Sequence, residues 1–122
     1  MKTKIIFVAH AITNPNEDIA KVLRILMSLQ GNNIIAVAPY LNSHMYGDWT
    51  KNTSQSIENA QEISKRYILD NFCDEMWLYG NSMDNHMLEL VALTKKIGRV
   101  PILPKTPEMK LLLEELARKF PE

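Results

Sequence analysis

The stretch "NSMDNHMLEL", from Asn81 to Leu90, places the carboxylate of Glu89 within the apolar first turns of a predicted helix. A carboxylate in that position has two interpretations. It is either a nucleophile presented at the mouth of a pocket or an ordinary solvated residue that the helix dipole favours. Asp84 is likewise either the N-cap of this helix or a base-binding or acidic group. This stretch is therefore the first candidate for chemistry in the chain.

The remaining reactive side chains give weaker signals. The three histidines, His10, His44 and His86, contain no pair at the close spacing of a helical zinc motif. Cys73, the one cysteine, is expected to be a small buried hydrophobe rather than a nucleophile. The segment "AHAITNPN" after the first apolar run has no glycine, which argues against a standard dinucleotide or phosphate loop. We therefore predict neither a metal nor a cofactor.

Four short apolar runs predict the strands that must position these groups. They are Lys4–Ala11, Asn33–Tyr40, Asp74–Gly80 and Arg99–Pro104. The absence of regular polar alternation is typical of strands that are buried on both faces of a parallel sheet.

Segments of helical periodicity separate the predicted strands. The first carries Asn14 as N-cap, Pro15 at its first position and Glu17 as a capping-box acid. The helix after the third strand has an inward stripe of Met87, Leu90, Val91 and Thr94, and the last begins at Thr106 and Pro107.

Alternation of strands and helices predicts a single α/β domain over residues 1–122, a flavodoxin-like or Rossmann-like three-layer sandwich. The expected sheet is parallel, with four to five strands in the order 2-1-3-4(-5). Ligands of such sheets bind outside the carboxyl ends of the strands, near the switch point between strands 1 and 3.

That rule places Ala9–Asn14, Pro39–Trp49 and Tyr79–Glu89 around one crevice. The candidate ligand-binding residues in these segments are His10, Ala11, Asn14, Pro39, Tyr40, Tyr79, Gly80, Asn81, Asp84 and His86. Asn14 and Asn16 have two interpretations: they cap the first helix, or that helix N-terminus binds a phosphate or a sugar hydroxyl. Tyr46 and Trp49 are either a self-packed lid or a platform for a flat ring.

The composition limits the classes of partner that the protein is expected to bind. A formal net charge of zero over 122 residues offers no basic face for a nucleic-acid polymer. No apolar run is long enough to span a membrane, and "MKTKIIFVAHAI" is interpreted as a buried first strand rather than a leader. We expect a cytoplasmic protein whose partner is a small molecule.

Several segments resemble the nucleoside 2-deoxyribosyltransferase-like superfamily, particularly its small bacterial and phage members. "IIFVAHAIT" resembles the "YIAGP-T" opening of that family, and "IIAVAPYL" resembles its "PIAPHL" second strand. "FCDEMWLYGN" is similar to "CDELWVFG", and "MLELVALTKKIGRVPIL" to the "GM..EIELAKKLGIPV" that follows. The resemblance covers about Lys4 to Leu103, and the order and spacing of the segments carry it.

The resemblance implies that Glu89 attacks C1′ of a nucleoside or nucleotide, forms a glycosyl ester and expels the base. Asp48, in the long loop, could replace the family's active-site aspartate. Relatives commonly assemble so that a neighbour's loop completes the pocket, which implies a homo-oligomer.

The chain departs from the family pattern at three places. No glycine occurs among residues 82–86, Ala9-His10-Ala11 stands where "A-G-P" is common, and Tyr40 replaces a histidine. Three hypotheses therefore stay open. The chain is an enzyme that cleaves or transfers an N-glycosidic bond, or it is a non-catalytic nucleotide- or nucleoside-binding module on the same fold. The third is a pure interaction protein whose crevice is vestigial.

Overall fold

A four-stranded, all-parallel sheet forms the centre of the computed structural model, which describes residues 2–31, 33–41 and 54–119. The strands are β1 (Lys4–Ala9), β2 (Ile34–Val37), β3 (Glu75–Leu78) and β4 (Ile102–Pro104). Their order is β2-β1-β3-β4, which confirms the predicted α/β class and strand order. The described ranges contain no fifth strand.

Four helices of the described residues flank the sheet: α1 (Pro15–Leu29), α2 (Ser54–Leu69), α3 (Asn85–Ile97) and α4 (Pro107–Lys119). The connection through α1 leads from β1 to β2, at one edge of the sheet. The connections from β2 to β3 and from β3 to β4 run in the opposite direction across the sheet. Right-handed crossovers therefore place α1 on one face and both α2 and α3 on the opposite face. Helices α2 and α3 pack against each other, as expected for this arrangement.

Burial on both faces explains why β1 reads as a continuous apolar run. Ile6, Phe7 and Val8 have no exposed surface. Phe7 meets Tyr67 of α2 edge-on, with ring centroids 6.4 Å apart. The predicted inward stripe of α3 is also confirmed, since Met87, Leu90, Val91 and Thr94 are all buried. Removal of these apolar side chains from water is the main force that holds the layers together.

The strands are shorter than the sequence predicts, mostly at their carboxyl ends. β1 stops at Ala9, β2 at Val37 and β3 at Leu78. Backbone chemistry explains the early ends, since Pro39 has no N–H for a ladder and Gly80 has a left-handed φ of +93°. The residues thus released form the loops that border the carboxyl edge of the sheet.

Across the described residues, none of the helices combines the length and the apolar character that a membrane crossing requires.

Candidate functional site at the switch point of the sheet

A polar cavity of about 370 Å³ lies at the carboxyl edge of the sheet, where the loops after β1 and β3 diverge. We call it the switch-point cavity. The two loops supply His10, Ala11, Thr13 and Asn14 on one side and Gly80, Asn81 and Ser82 on the other. Glu17, Asp18 and Lys21 of α1 complete the lining, together with Thr106 and Glu108 at the start of α4. The cavity thus occupies the position at which open parallel sheets bind ligands.

Five of the predicted binding residues meet in this cavity: His10, Ala11, Asn14, Gly80 and Asn81. The alternation of strands and turns was sufficient to predict them. The prediction did not include the charged side chains of α1 or Glu108. For the α1 residues a signal was present in the sequence, because Lys21 follows Asp18 by three positions and Glu17 by four, the spacing of neighbours on a helix surface.

Asp18 caps the start of α1. Its Oδ2 atom accepts hydrogen bonds from the backbone N–H groups of Thr13 and Asn14, both at 2.9 Å, and from the Thr13 hydroxyl at 3.3 Å. Asn14 occupies the N-cap position but makes no side-chain capping bond, and Pro15 stands at the first turn as predicted. The side chain that caps the start of α1 is therefore that of Asp18, and not that of Asn14 or Glu17, the predicted residues.

Asp18 remains ionised although it is only 7% exposed. Burial favours the neutral acid, but the backbone hydrogen bonds from Asn14 and Thr13 together favour the carboxylate more strongly. The electrostatic attraction of the nearby His10 ring also favours the carboxylate. Together they hold the pKa of Asp18 below its ordinary value. Lys21 lies at the outer limit of an ion pair, with its Nζ atom 4.0 Å from Asp18 Oδ1.

His10 is held by its own loop. Its Nδ1 atom lies 2.7 Å from the carbonyl oxygen of Ala11, and because a carbonyl oxygen can only accept, Nδ1 carries the proton. In the neutral ring Nε2 is then an acceptor. A Cβ built on Gly80 would lie 3.2 Å from this Nε2 atom, so the imidazole rests directly on the Gly80 backbone.

Thr106 connects Gly80 to α4. Its hydroxyl donates to the Gly80 carbonyl oxygen at 2.6 Å and accepts from the backbone N–H of Met109 at 3.2 Å. The predicted capping role of Thr106 is thereby confirmed, and the same hydroxyl joins two residues that line the switch-point cavity, Thr106 and Gly80.

Asp84 is the N-cap of α3. Its Oδ1 atom accepts from the backbone N–H of Met87 at 2.8 Å, and its Oδ2 atom accepts from the backbone N–H of Ile12 at 3.2 Å. The structure thus confirms the capping interpretation of Asp84. The same side chain connects the loop after β1 to the helix after β3. Asp84 is not among the residues that line the cavity.

Tyr40 and its neighbours belong to the core rather than to the cavity. The Tyr40 hydroxyl donates to the Val8 carbonyl oxygen at 2.7 Å, and burial raises the pKa of the phenol well above its ordinary value. Pro39 is also buried. His86 meets the Tyr40 ring edge-on, at 6.0 Å between centroids. Tyr79 packs against the core and is half-buried, and burial raises its pKa as well.

Glu89 lies apart from the switch-point cavity. It belongs to α3, on the face of the sheet opposite α1, and its side chain is 52% exposed. Its Oε2 atom lies 3.7 Å from Nζ of Lys65 on α2. The single crevice that the sequence predicts is therefore divided in the structure. One candidate position is the cavity beside α1, and the other is the Glu89 carboxylate beside Lys65 of α2.

Asp48, the other predicted catalytic residue, lies outside the described residues, as do His44, Tyr46 and Trp49. Among the residues that the structure describes, no group of three or more histidine, cysteine, aspartate or glutamate side chains is arranged to hold a metal ion. Cys73 is buried, which raises the pKa of its thiol to about 11 and makes it a poor nucleophile.

The chain matches no protein-family model, and comparison with curated proteins gives no significant match. The resemblance to the nucleoside 2-deoxyribosyltransferase-like proteins therefore stays a prediction that the sequence segments carry.

Proposed function

We propose that the protein binds a nucleoside, or a polar molecule of similar size, in the switch-point cavity. The observation that carries this proposal is the position of a 370 Å³ polar cavity between the loops after β1 and β3. That volume falls within the range of about 300–1,000 Å³ typical of small-molecule sites. The resemblance in sequence favours a nucleoside among molecules of this size.

The lining offers hydrogen-bonding groups that suit a base or a sugar. Asn81 supplies an amide, and Ser82 and Thr13 supply hydroxyl groups. His10 Nε2 supplies an acceptor, fixed in place by the bond of Nδ1 to Ala11. Because most of the lining is polar, such a site selects its ligand mainly by hydrogen bonding.

A ligand panel with a blocked cavity tests this proposal. Nucleosides and free bases should raise the melting temperature of the wild-type protein. Ser82→Trp, which places an indole at the cavity wall, should abolish that rise. Ser28→Trp is the matched control, because Ser28 is also exposed but lies near the far end of α1. Equal ligand responses in both variants, or no response of the wild-type protein across the panel, would contradict the proposal.

A second candidate function is cleavage or transfer of an N-glycosidic bond through Glu89. One observation favours it: the carboxylate lies in the helix that follows β3 and is half exposed, with a long 3.7 Å contact to Lys65. In this reaction a carboxylate oxygen of Glu89 bonds to C1′ while the C1′–N bond breaks, and a second acid or a bound water gives the leaving base its proton. Water or an acceptor base then displaces the carboxylate.

Release of free base distinguishes the two functions. In the enzyme, chromatography should detect base from a nucleoside or deoxynucleotide, and Glu89→Gln should abolish the release. Glu62→Gln is the control, because Glu62 is a comparably exposed carboxylate on α2 that pairs with Arg66 at 3.5 Å. Ligand stabilisation without release in wild type would support the binding module. Release that survives in Glu89→Gln would exclude Glu89 as the nucleophile.

A further inference from the structure

The N-terminus of α1 carries an anion of its own. The first N–H groups of a helix lack partners within the helix, and together with the helix dipole they commonly bind phosphate in sheets of this type. Here the last two N–H groups before the helix, those of Thr13 and Asn14, donate to the Asp18 carboxylate, so a negative charge already lies at this end of α1. A ligand phosphate at this place would have to displace Asp18 or lie beside it.

The surrounding charges strengthen the effect. Glu17 and Glu108 line the same cavity as Asp18, and Lys21 is the one lysine in that lining. Asp18 is almost fully buried, so solvent screens its charge poorly. Like charges that are brought together at a poorly screened site repel strongly.

We infer that the switch-point cavity accepts uncharged or cationic ligands, such as a nucleoside, and rejects their 5′-phosphorylated forms, and that Asp18 sets this preference. This inference rests on the proposed binding function, since it names the ligand class of the same cavity. It assigns Asp18 the role of a specificity-determining residue, which holds the backbone donors that a phosphate would otherwise use.

Calorimetric titration of a nucleoside and its 5′-monophosphate tests the inference. Wild type should bind the nucleoside at least about tenfold more tightly than the monophosphate. Asp18→Ser, which removes the charge and exposes the two N–H groups, should reduce this ratio at least about tenfold or reverse it. Asp18→Asn retains an oxygen that can accept from both N–H groups and removes only the charge. Its ratio of nucleoside to monophosphate affinity should therefore fall between those of wild type and Asp18→Ser.

Glu17→Gln is the matched control, because it removes a neighbouring carboxylate of the same lining and leaves the capping bonds of Asp18 in place. Its effect on the ratio should be smaller than that of either Asp18 variant. Equal or tighter binding of the monophosphate by wild type would overturn the inference, as would an unchanged ratio in Asp18→Ser. Asp18→Asn decides the same question if the serine variant fails to fold.

Inorganic phosphate separates this inference from the proposed function. Phosphate should raise the melting temperature of Asp18→Ser and leave that of wild type unchanged at the same ionic strength. If nucleosides do not raise the melting temperature of wild type, the proposed function is contradicted. The response of Asp18→Ser to phosphate still tests the role of Asp18 in that case. An absent phosphate response in Asp18→Ser would overturn the role of Asp18 even where nucleosides bind.

Discussion

Asp18 shows how a single side chain can shape both the stability and the chemistry of the cavity. Its carboxylate accepts from two backbone donors, the N–H groups of Thr13 and Asn14, and so caps the start of α1. The same bonds keep it negatively charged where a ligand would lie.

The charge of Asp18 should make stability depend on pH. Because the folded-state pKa lies below the ordinary value of 3.8, the stabilisation is complete above that value and is lost as pH falls through the folded-state pKa. Asp18→Asn should therefore lower the free energy of unfolding by about 1–2 kcal/mol at pH 7, and the gap to wild type should narrow below about pH 4. Urea titrations of both proteins from pH 7 to pH 3 measure this difference in the free energy of unfolding.

Thr13→Val provides the control for this pH dependence. It removes the hydroxyl bond to Asp18 but leaves the carboxylate and both backbone bonds. Because that hydroxyl bond is one of the contacts that lower the Asp18 pKa, the gap to wild type should also narrow at low pH, but it should be smaller at every pH than the gap for Asp18→Asn. A gap between wild type and Asp18→Asn that stays the same at every pH would contradict the assigned role.

Gly80 is required by its backbone conformation and by its contact with His10. Gly80→Ala should lower the free energy of unfolding by about 1–2 kcal/mol from the left-handed φ of +93° alone. The added Cβ would also press on His10 Nε2 at 3.2 Å and displace the ring. Chemical denaturation measures the loss, and the histidine ring signals in NMR spectra report the displacement.

Gly31 offers a matched comparison. Its φ is +98°, but a Cβ there would meet no atom within 4 Å. Gly31→Ala should therefore cost only the backbone strain and leave the His10 signals unchanged. Equal losses in the two variants, with His10 undisturbed in both, would show that the contact with the imidazole is unimportant.

At the scale of elements, α2 and α3 each bury one hydroxyl group, and the two hydroxyls differ in their hydrogen bonding. Ser64 of α2 is completely buried, and its hydroxyl has no hydrogen-bond partner among the described residues. Thr94 of α3 is equally buried, but its hydroxyl donates to the Leu90 carbonyl oxygen at 2.6 Å. The two hydroxyls should respond in opposite ways to removal.

Ser64→Ala should raise the free energy of unfolding by about 1 kcal/mol, because it removes an unpaired buried hydroxyl and introduces a better helix former. Thr94→Val should instead lower it by about 1 kcal/mol, since a satisfied hydrogen bond is lost. Thermal and urea unfolding of both variants test this pair. A destabilised Ser64→Ala would show that the hydroxyl has a partner in the native protein.

At the scale of the whole molecule, Asp84 links the two candidate positions. It caps α3, which carries Glu89, and it holds the Ile12 amide in the loop that borders the cavity. Side chains that bridge neighbouring loops at the switch point make their geometry interdependent.

Asp84→Ala should cost about 1–2 kcal/mol of unfolding free energy through loss of the cap. Asp84→Asn keeps one oxygen for the cap, so it should cost less while the Ile12 amide loses its acceptor. Hydrogen exchange at Ile12 should then accelerate in both variants, with exchange at Met87 accelerated mainly in Asp84→Ala. Unchanged exchange at Ile12 would indicate that the contact across the loops does not persist in solution.

The sequence by itself determined the fold. Apolar runs, helical periodicity and caps at Thr106 and Asp84 are local patterns, and right-handed crossovers leave few topologies for them. That logic also located the cavity, because the ends of β1 and β3 must meet at one edge. His10, Asn14, Gly80 and Asn81 were therefore predictable.

Only the tertiary structure decided which way each side chain faces. Tyr40 and Pro39 follow a strand as His10 does, yet they are buried in the core. Asp18 and Glu17 are adjacent carboxylates, and only the path of the loop before α1 determines which one reaches the backbone N–H groups. Glu89 follows β3 but faces Lys65 on the far side of the sheet. Orientation depends on contacts between segments far apart in sequence, which local patterns do not encode.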